Sequence, residues 1–109
     1  MKLLDTMILR EKIRNKEEIE EYTTIVNIIE FPKIITYKKF KGKVIFPDKP
    51  DYELALRLQV KLAKIGKMKP FSDLLIAAIA INRDLELVTR DKHFLDIRKV
   101  SNLKLIHTD

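Results

Sequence analysis

The run Leu74-Leu75-Ile76-Ala77-Ala78-Ile79-Ala80-Ile81 constrains the fold more than any other part of the chain. A helix that spans a bilayer needs about 20 consecutive apolar residues, so this run is far too short to cross a membrane and reads as a helix buried in a protein core. Asp73 opens it and Ser72 is the expected N-cap, which places the helix from about Asp73 to Arg83. Leu85 to Thr89 then reads as a central strand, apolar at Leu85, Leu87 and Val88.

The rest of the chain supplies alternating elements. Lys2 to Leu4 is a short strand, and Thr6 to Asn15 sets Ile8, Leu9 and Ile13 at helical spacing. Tyr22-Thr23-Thr24 favours extended backbone and its hydroxyls favour a cap. A second strand is therefore expected around Glu20 to Thr23, leading into a helix from about Ile25; one continuous helix from Ile8 to Ile29 is the competing reading. Pro32 should kink or end that helix. Phe40 to Lys43 is a turn, and Val44-Ile45-Phe46 a brief extended piece. Asp51 to Lys64 is an amphipathic helix, with Leu54, Leu58, Leu62 and Ile65 in phase and Gly66 as its C-cap. A basic loop, Lys67-Met68-Lys69-Pro70, joins it to the buried helix. A short helix at Phe94 to Arg98 and a last strand at Leu103 to Ile106 complete the pattern.

Strands alternating with helices imply one three-layer α/β domain, residues 1–109, with a mainly parallel sheet. In such sheets ligands bind outside the carboxyl ends of the strands. Asp5 and Asp91 each follow a strand directly, and Asp73 in the first turn of its helix can reach the same edge.

With 46% apolar residues, a chain of 109 can bury one core. No Cys is present, so disulfides and thiolate metal sites are excluded, which fits a reducing cytoplasmic setting. Lys2, Asp5, Arg10, Glu11 and Lys12 leave no room for a signal-peptide core at the start. A net charge of +6 favours encounter with polyanions such as RNA, although basic surface also serves solubility. With only Gly42 and Gly66, no glycine-rich phosphate loop can form. His93 and His107 look too few and too scattered for a zinc site.

Four acids stand beside apolar segments, where a charge costs free energy. Asp5 ends Met1-Lys2-Leu3-Leu4, Glu30 closes Ile25-Val26-Asn27-Ile28-Ile29, Asp73 opens the long apolar run, and Asp91 follows Leu87-Val88-Thr89-Arg90. If they converge they repel one another, and a divalent cation held by oxygen ligands is the ordinary relief. Each also has a plainer reading. Asp5 can be an N-cap, Asp73 a favourable anion at a helix start, Glu30 part of a solvated stripe with Asn27, and Asp91 a turn residue.

The segments Leu3-Leu4-Asp5-Thr6, Thr23-Thr24-Ile25-Val26-Asn27-Ile28-Ile29-Glu30, Ser72-Asp73-Leu74-Leu75-Ile76-Ala77-Ala78 and Leu87-Val88-Thr89-Arg90-Asp91-Lys92-His93-Phe94 resemble the PIN-domain nucleases, most closely the short VapC-type ribonuclease toxins. The resemblance implies a three-layer α/β/α PIN-like domain in which Asp5, Glu30, Asp73 and Asp91 coordinate Mg²⁺ or Mn²⁺ and catalyse phosphodiester hydrolysis. Thr6 and Thr89 match small polar positions that support such carboxylates. Met7 departs from the pattern, standing where Asn or Ser is more usual. The segment from Asp5 to Glu30 is short for the family, and Phe31-Pro32 follows the glutamate.

The expected function is that of a metal-dependent endoribonuclease acting on RNA and restrained by a cognate antitoxin protein. Lys67, Lys69, Arg90 and Lys92, in loops near the acidic edge, are the candidate contacts to the RNA backbone. The alternatives are an RNA-processing PIN endonuclease without antitoxin and a catalytically silent PIN-like module that binds RNA or protein. Homodimers are common in the resembled family, and Ile34, Ile35, Tyr37 and Phe40 supply either a contact for one or core.

Overall fold

The structure, a computed structural model, describes residues 1–108. The chain runs β1 (Lys2–Leu4), α1 (Thr6–Arg14), β2 (Thr23–Thr24), α2 (Ile25–Glu30), a 3-10 helix (Pro32–Thr36), β3 (Val44–Ile45), α3 (Lys49–Lys64), α4 (Phe71–Asn82), β4 (Glu86–Thr89), α5 (His93–Lys99) and β5 (Lys104–His107). The strands β1, β4 and β5 form a parallel sheet in that order, and β2 pairs in parallel with β3. A parallel bridge from Leu3 to Tyr22 joins the two, with Leu4 N–H donating to the Tyr22 carbonyl at 2.9 Å and Tyr22 N–H to that of Lys2 at 3.0 Å. The spatial order is thus β3-β2-β1-β4-β5, and the chain leaves β1 toward one side and later returns on the other.

Strand register builds the layers. Leu3 pairs with Leu87 and Leu87 with Leu105; one residue on, Leu4 pairs with Val88 and Val88 with Ile106. Successive side chains on a strand point to opposite faces. The Leu3, Leu87 and Leu105 row packs with residues of α3, α4 and α5, while the Leu4, Val88 and Ile106 row packs with Ile8, Leu9, Ile28 and Ile34 from α1, α2 and the 3-10 helix. That is the three-layer arrangement, parallel as expected. In α4 every residue from Leu74 to Ala80 is buried, so it lies among the other elements rather than on the surface. No helix among the described residues is long and apolar enough to cross a membrane.

Several boundaries differ from the sequence expectation. The continuous helix from Ile8 to Ile29 does not form: α1 ends at Arg14, and Lys16 takes a left-handed φ of 57° that turns the chain back. The second strand falls at Thr23–Thr24, where the β-branched pair meets Val44 and Ile45. Gly42 follows from this pairing, since a Cβ there would collide with the carbonyl oxygen of Glu21. The cap of α4 is Pro70, two residues ahead of the expected Ser72, and no side chain caps it. Pro32 does not merely kink α2 but converts the chain to a 3-10 turn. Of the apolar group considered for a dimer contact, Ile34 is fully buried, Phe40 and Tyr37 pack against the same core cluster, and only Ile35 stands exposed.

The start of α3 is fastened by a buried carboxylate that sequence patterning did not single out. Asp51 has no solvent exposure, accepts the Asp48 N–H at 2.9 Å and receives both Arg83 nitrogens, Nη1 at 2.9 Å and Nη2 at 3.0 Å, with Asn82 Nδ2 at 2.9 Å. Burial alone would push this carboxyl up. The bonds from Arg83, the Asp48 backbone and Asn82 outweigh it and hold the pKa at about 2, below the ordinary 3.8. A depressed carboxyl contributes stability that is full above the unfolded value of 3.8 and is lost as pH falls through about 2. That contribution is about 2 kcal/mol. We therefore expect Arg83→Ala, which leaves the buried charge unpaired, to cost roughly 3–5 kcal/mol. Denaturant unfolding from neutral to acid pH should show the wild type losing stability below its unfolded carboxyl range, with Asp51→Asn much flatter there. Parallel curves for the two proteins would refute this role for Asp51.

Candidate functional site

Where β1 and β4 lie side by side, the strand order reverses, and crevices form at such switch points. Asp5 is the first residue beyond β1; its N–H continues the sheet by donating to the Val88 carbonyl at 3.0 Å. Although Asp5 occupies the N-cap position of α1, its side chain makes no capping bond. Its carboxylate turns instead toward two buried donors: Asn27 Nδ2 reaches Oδ1 at 3.0 Å and Thr89 Oγ1 reaches Oδ2 at 2.7 Å. Each oxygen keeps a further lone pair for a ligand.

Asn27 is the hub of this arrangement and has no solvent exposure. The Thr24 hydroxyl caps α2 by accepting the Asn27 N–H at 3.1 Å and donates to Asn27 Oδ1 at 2.7 Å, which fixes the amide so that Nδ2 faces the site. The same Nδ2 also donates to Thr6 Oγ1 at 3.0 Å, and Thr6 in turn donates to Glu30 Oε1 at 3.0 Å. Glu30 is exposed at the end of α2 and joins the cluster through Thr6. The solvated stripe of Asn27 with Glu30 is therefore not what forms.

Thr89 does on the β4 side what Asn27 does on the α2 side. Its hydroxyl donates to Asp5 and accepts the Asp91 N–H at 3.0 Å, so one buried oxygen links two acids. Asp91 Oδ1 accepts the His93 N–H at 2.9 Å, closing the turn into α5. From α4, Asp73 presents Oδ2 to His93 Nδ1 at 2.7 Å. Among the described residues, Asp73, Asp91 and His93 form a group whose ligand atoms lie within 4.8 Å of one another. His93 is thus not scattered from the acids but stands between two of them.

Electrostatics agree with the geometry. Burial raises the Asp73 pKa above 3.8; the His93 hydrogen bond offsets part of this, and the charges of Asp91 and Asp5 add to it. The acids feel one another. Among the described residues, no Lys or Arg forms an ion pair with Asp5, Glu30, Asp73 or Asp91, and the partner of Asp73 and Asp91 is the imidazole alone. Oxygen donors with spare lone pairs, beside one ring nitrogen and without an internal cation, suit a divalent metal ion.

The four basic candidates divide. Lys69 Nζ is drawn down to Asp96 at 2.9 Å, and its backbone is clasped by Gln59 through bonds of 2.8 and 3.0 Å. Arg90 is taken by Glu11 of α1. Lys67 and Lys92 are exposed. Met7 is likewise exposed, at 53%, so the hydrogen bonds that hold the acids come from Asn27, Thr6 and Thr89.

Sequence patterning missed Asn27 and His93 as site residues. The signal for Asn27 was its spacing from the Thr24 cap, and for His93 its place between Asp91 and Phe94. No curated protein is found to match the sequence. Similar folds occur in solved toxin–antitoxin structures. A VapBC-5 structure from Mycobacterium tuberculosis aligns with TM-score 0.74 and 21% identity over 98% of each chain. VapBC2 from Rickettsia felis, bound to a DNA fragment from its promoter, aligns with TM-score 0.74 and 19% identity over 98% of each chain. FitAcB from Neisseria gonorrhoeae aligns with TM-score 0.77 and 19% identity over 98% of this chain and 97% of that one. These likenesses are of fold. The PIN-domain family model matches residues 2–100, nearly the whole chain, and with the acids gathered at the ends of β1 and β4 this chain belongs to the PIN-domain family.

Proposed function

We propose that the chain is a divalent-metal-dependent endoribonuclease, the toxin of a VapBC-type toxin–antitoxin pair. The observation that carries this reading is the set of carboxylates at the β1–β4 edge, fixed by buried donors yet left without an internal counter-charge. Asp5, Asp73 and Asp91 would hold Mg²⁺ or Mn²⁺, with Glu30 oriented by Thr6 at the rim. Bound there, the ion would lower the pKa of a coordinated water and neutralise charge building on the scissile phosphate. The bonds from Asn27 and Thr89 hold the Asp5 carboxylate in place before any ion arrives. Exposed Lys67 and Lys92 remain as contacts to the RNA backbone. Fold likeness to chains from VapBC and FitAcB structures supports an antitoxin as the partner.

The decisive experiment incubates purified protein with structured cellular RNAs in Mg²⁺, in Mn²⁺ and in chelator, and maps the cuts. Cleavage should need the ion. Asp5→Asn and Asp73→Asn should each abolish it while the protein stays folded, and Asn27→Ala should cost roughly 10–100-fold, as outer-shell supports of metal sites do. Near-wild-type turnover by either Asp variant at saturating metal and RNA would end the assignment.

Crowded like charges predict a stability signature as well. An ion that binds only the folded form stabilises it, by about 2.7 kcal/mol at 100 times its Kd. Asp91→Asn should raise the metal-free melting temperature, because one repelling charge is gone, and shrink the metal-induced increment. An unchanged increment would remove Asp91 from the site.

The antitoxin surface is proposed at the same edge. Met7, Ile29 and Ile35 are exposed apolar side chains in α1, at the end of α2 beside Glu30, and in the 3-10 helix. A partner segment that packs on them can deliver a basic side chain to the carboxylates. Co-expressed with the product of the neighbouring reading frame, Ile29→Asp should weaken the complex and leave RNA cleavage by the free protein intact. A complex of undiminished affinity would place the partner elsewhere.

A further inference from the structure

We propose that His93 is itself a metal ligand, and that Asp73, Asp91 and His93 form a mixed nitrogen and oxygen site that prefers Mn²⁺ and later first-row divalent ions to Mg²⁺. This rests on the reading that the acidic cluster holds a cation. The ring is aimed by backbone: Thr89 Oγ1 holds the Asp91 N–H, Asp91 Oδ1 holds the His93 N–H, and the chain turns so that Nδ1 faces α4. Nδ1 lies 2.7 Å from Asp73 Oδ2 and 3.5 Å from Asp91 Oδ1. An ion with bonds of about 2.1 Å sets neighbouring ligand atoms about 3 Å apart and opposite ones about 4.2 Å apart. The 2.7 and 3.5 Å contacts of Nδ1 bracket the spacing of neighbouring ligands, and ligand atoms of all three residues lie within 4.8 Å of one another. The imidazole is 46% exposed, which leaves a path for the ion.

Ligand chemistry then sets the preference. Mg²⁺ demands oxygen ligands in near-ideal octahedral geometry, whereas imidazole nitrogen suits transition ions and gains along the first-row series. A plain hydrogen bond from His93 to Asp73 would hold the carboxylate for any cation and would favour none.

Pulsed electron paramagnetic resonance of the intact protein with Mn²⁺ reads the ligand directly. Coupling to a coordinated imidazole nitrogen should appear in the wild type and in His107→Gln, and vanish in His93→Gln. Calorimetric titration should show His93→Gln binding Mn²⁺ at least about tenfold more weakly, with Mg²⁺ affinity changed far less. If Mn²⁺ binds without nitrogen coupling, or if the variant loses both ions equally, the inference about His93 is overturned while the cation-binding reading stands. If neither ion binds the wild type, both fall.

Discussion

The parallel register of β1 on β4 is the constraint from which the rest of the molecule follows. Pairing Leu3 with Leu87 and Leu4 with Val88 sends alternate side chains to opposite helical layers. It also sets Asp5 beside Thr89 at the end of the sheet. A slip of one residue would turn the whole apolar set of β1 to the wrong faces. It would also separate the carboxylate from its hydroxyl donor. Core and site therefore share one register.

From that pair the site spreads by hydrogen bonds whose directions are consistent throughout. Thr24 donates to Asn27, Asn27 to Asp5 and Thr6, and Thr6 to Glu30; on the other side Thr89 donates to Asp5 and accepts from Asp91. Each hydroxyl both donates and accepts, so no buried member is left unsatisfied. Satisfied networks of this kind rigidify their members. The acids are thereby brought together by neutral groups, which hold them in place without cancelling their charge.

Much of this was legible in the sequence, and the boundary of legibility is physical. The alternation of strands and helices, the buried α4 and the acids after β1 and β4 all follow from local periodicity and from where strands end. Thr6 and Thr89, which the family resemblance singled out, donate hydrogen bonds to Glu30 and Asp5. Asn27 was not legible, because a wheel puts it near Glu30 and only the long-range contact with Asp5 shows that it turns inward. His93 needed the packing of α4 against α5 to meet Asp73, twenty residues away. The losses of Lys69 to Asp96 and Arg90 to Glu11 have the same origin: partners distant in sequence decide which surface charges remain free of ion pairs.

Asp51 and Asp73 are two carboxylates at helix starts that the fold surrounds in opposite ways. Both are carboxylates whose burial raises the cost of ionisation, and both sit in the first turn of a helix. At Asp51 the protein supplies the counter-charge itself: Arg83 closes on both oxygens, Asn82 and the Asp48 backbone add bonds, and the pKa falls to about 2. At Asp73 the neighbours are Asp91, Asp5 and an imidazole, and the pKa moves the other way. The fold thus possesses a way to neutralise a buried acid and uses it at one place while withholding it at the other. An unrelieved cluster is destabilising by itself, and its contrast with the fully paired Asp51 is what supports the proposed reading of a cation site.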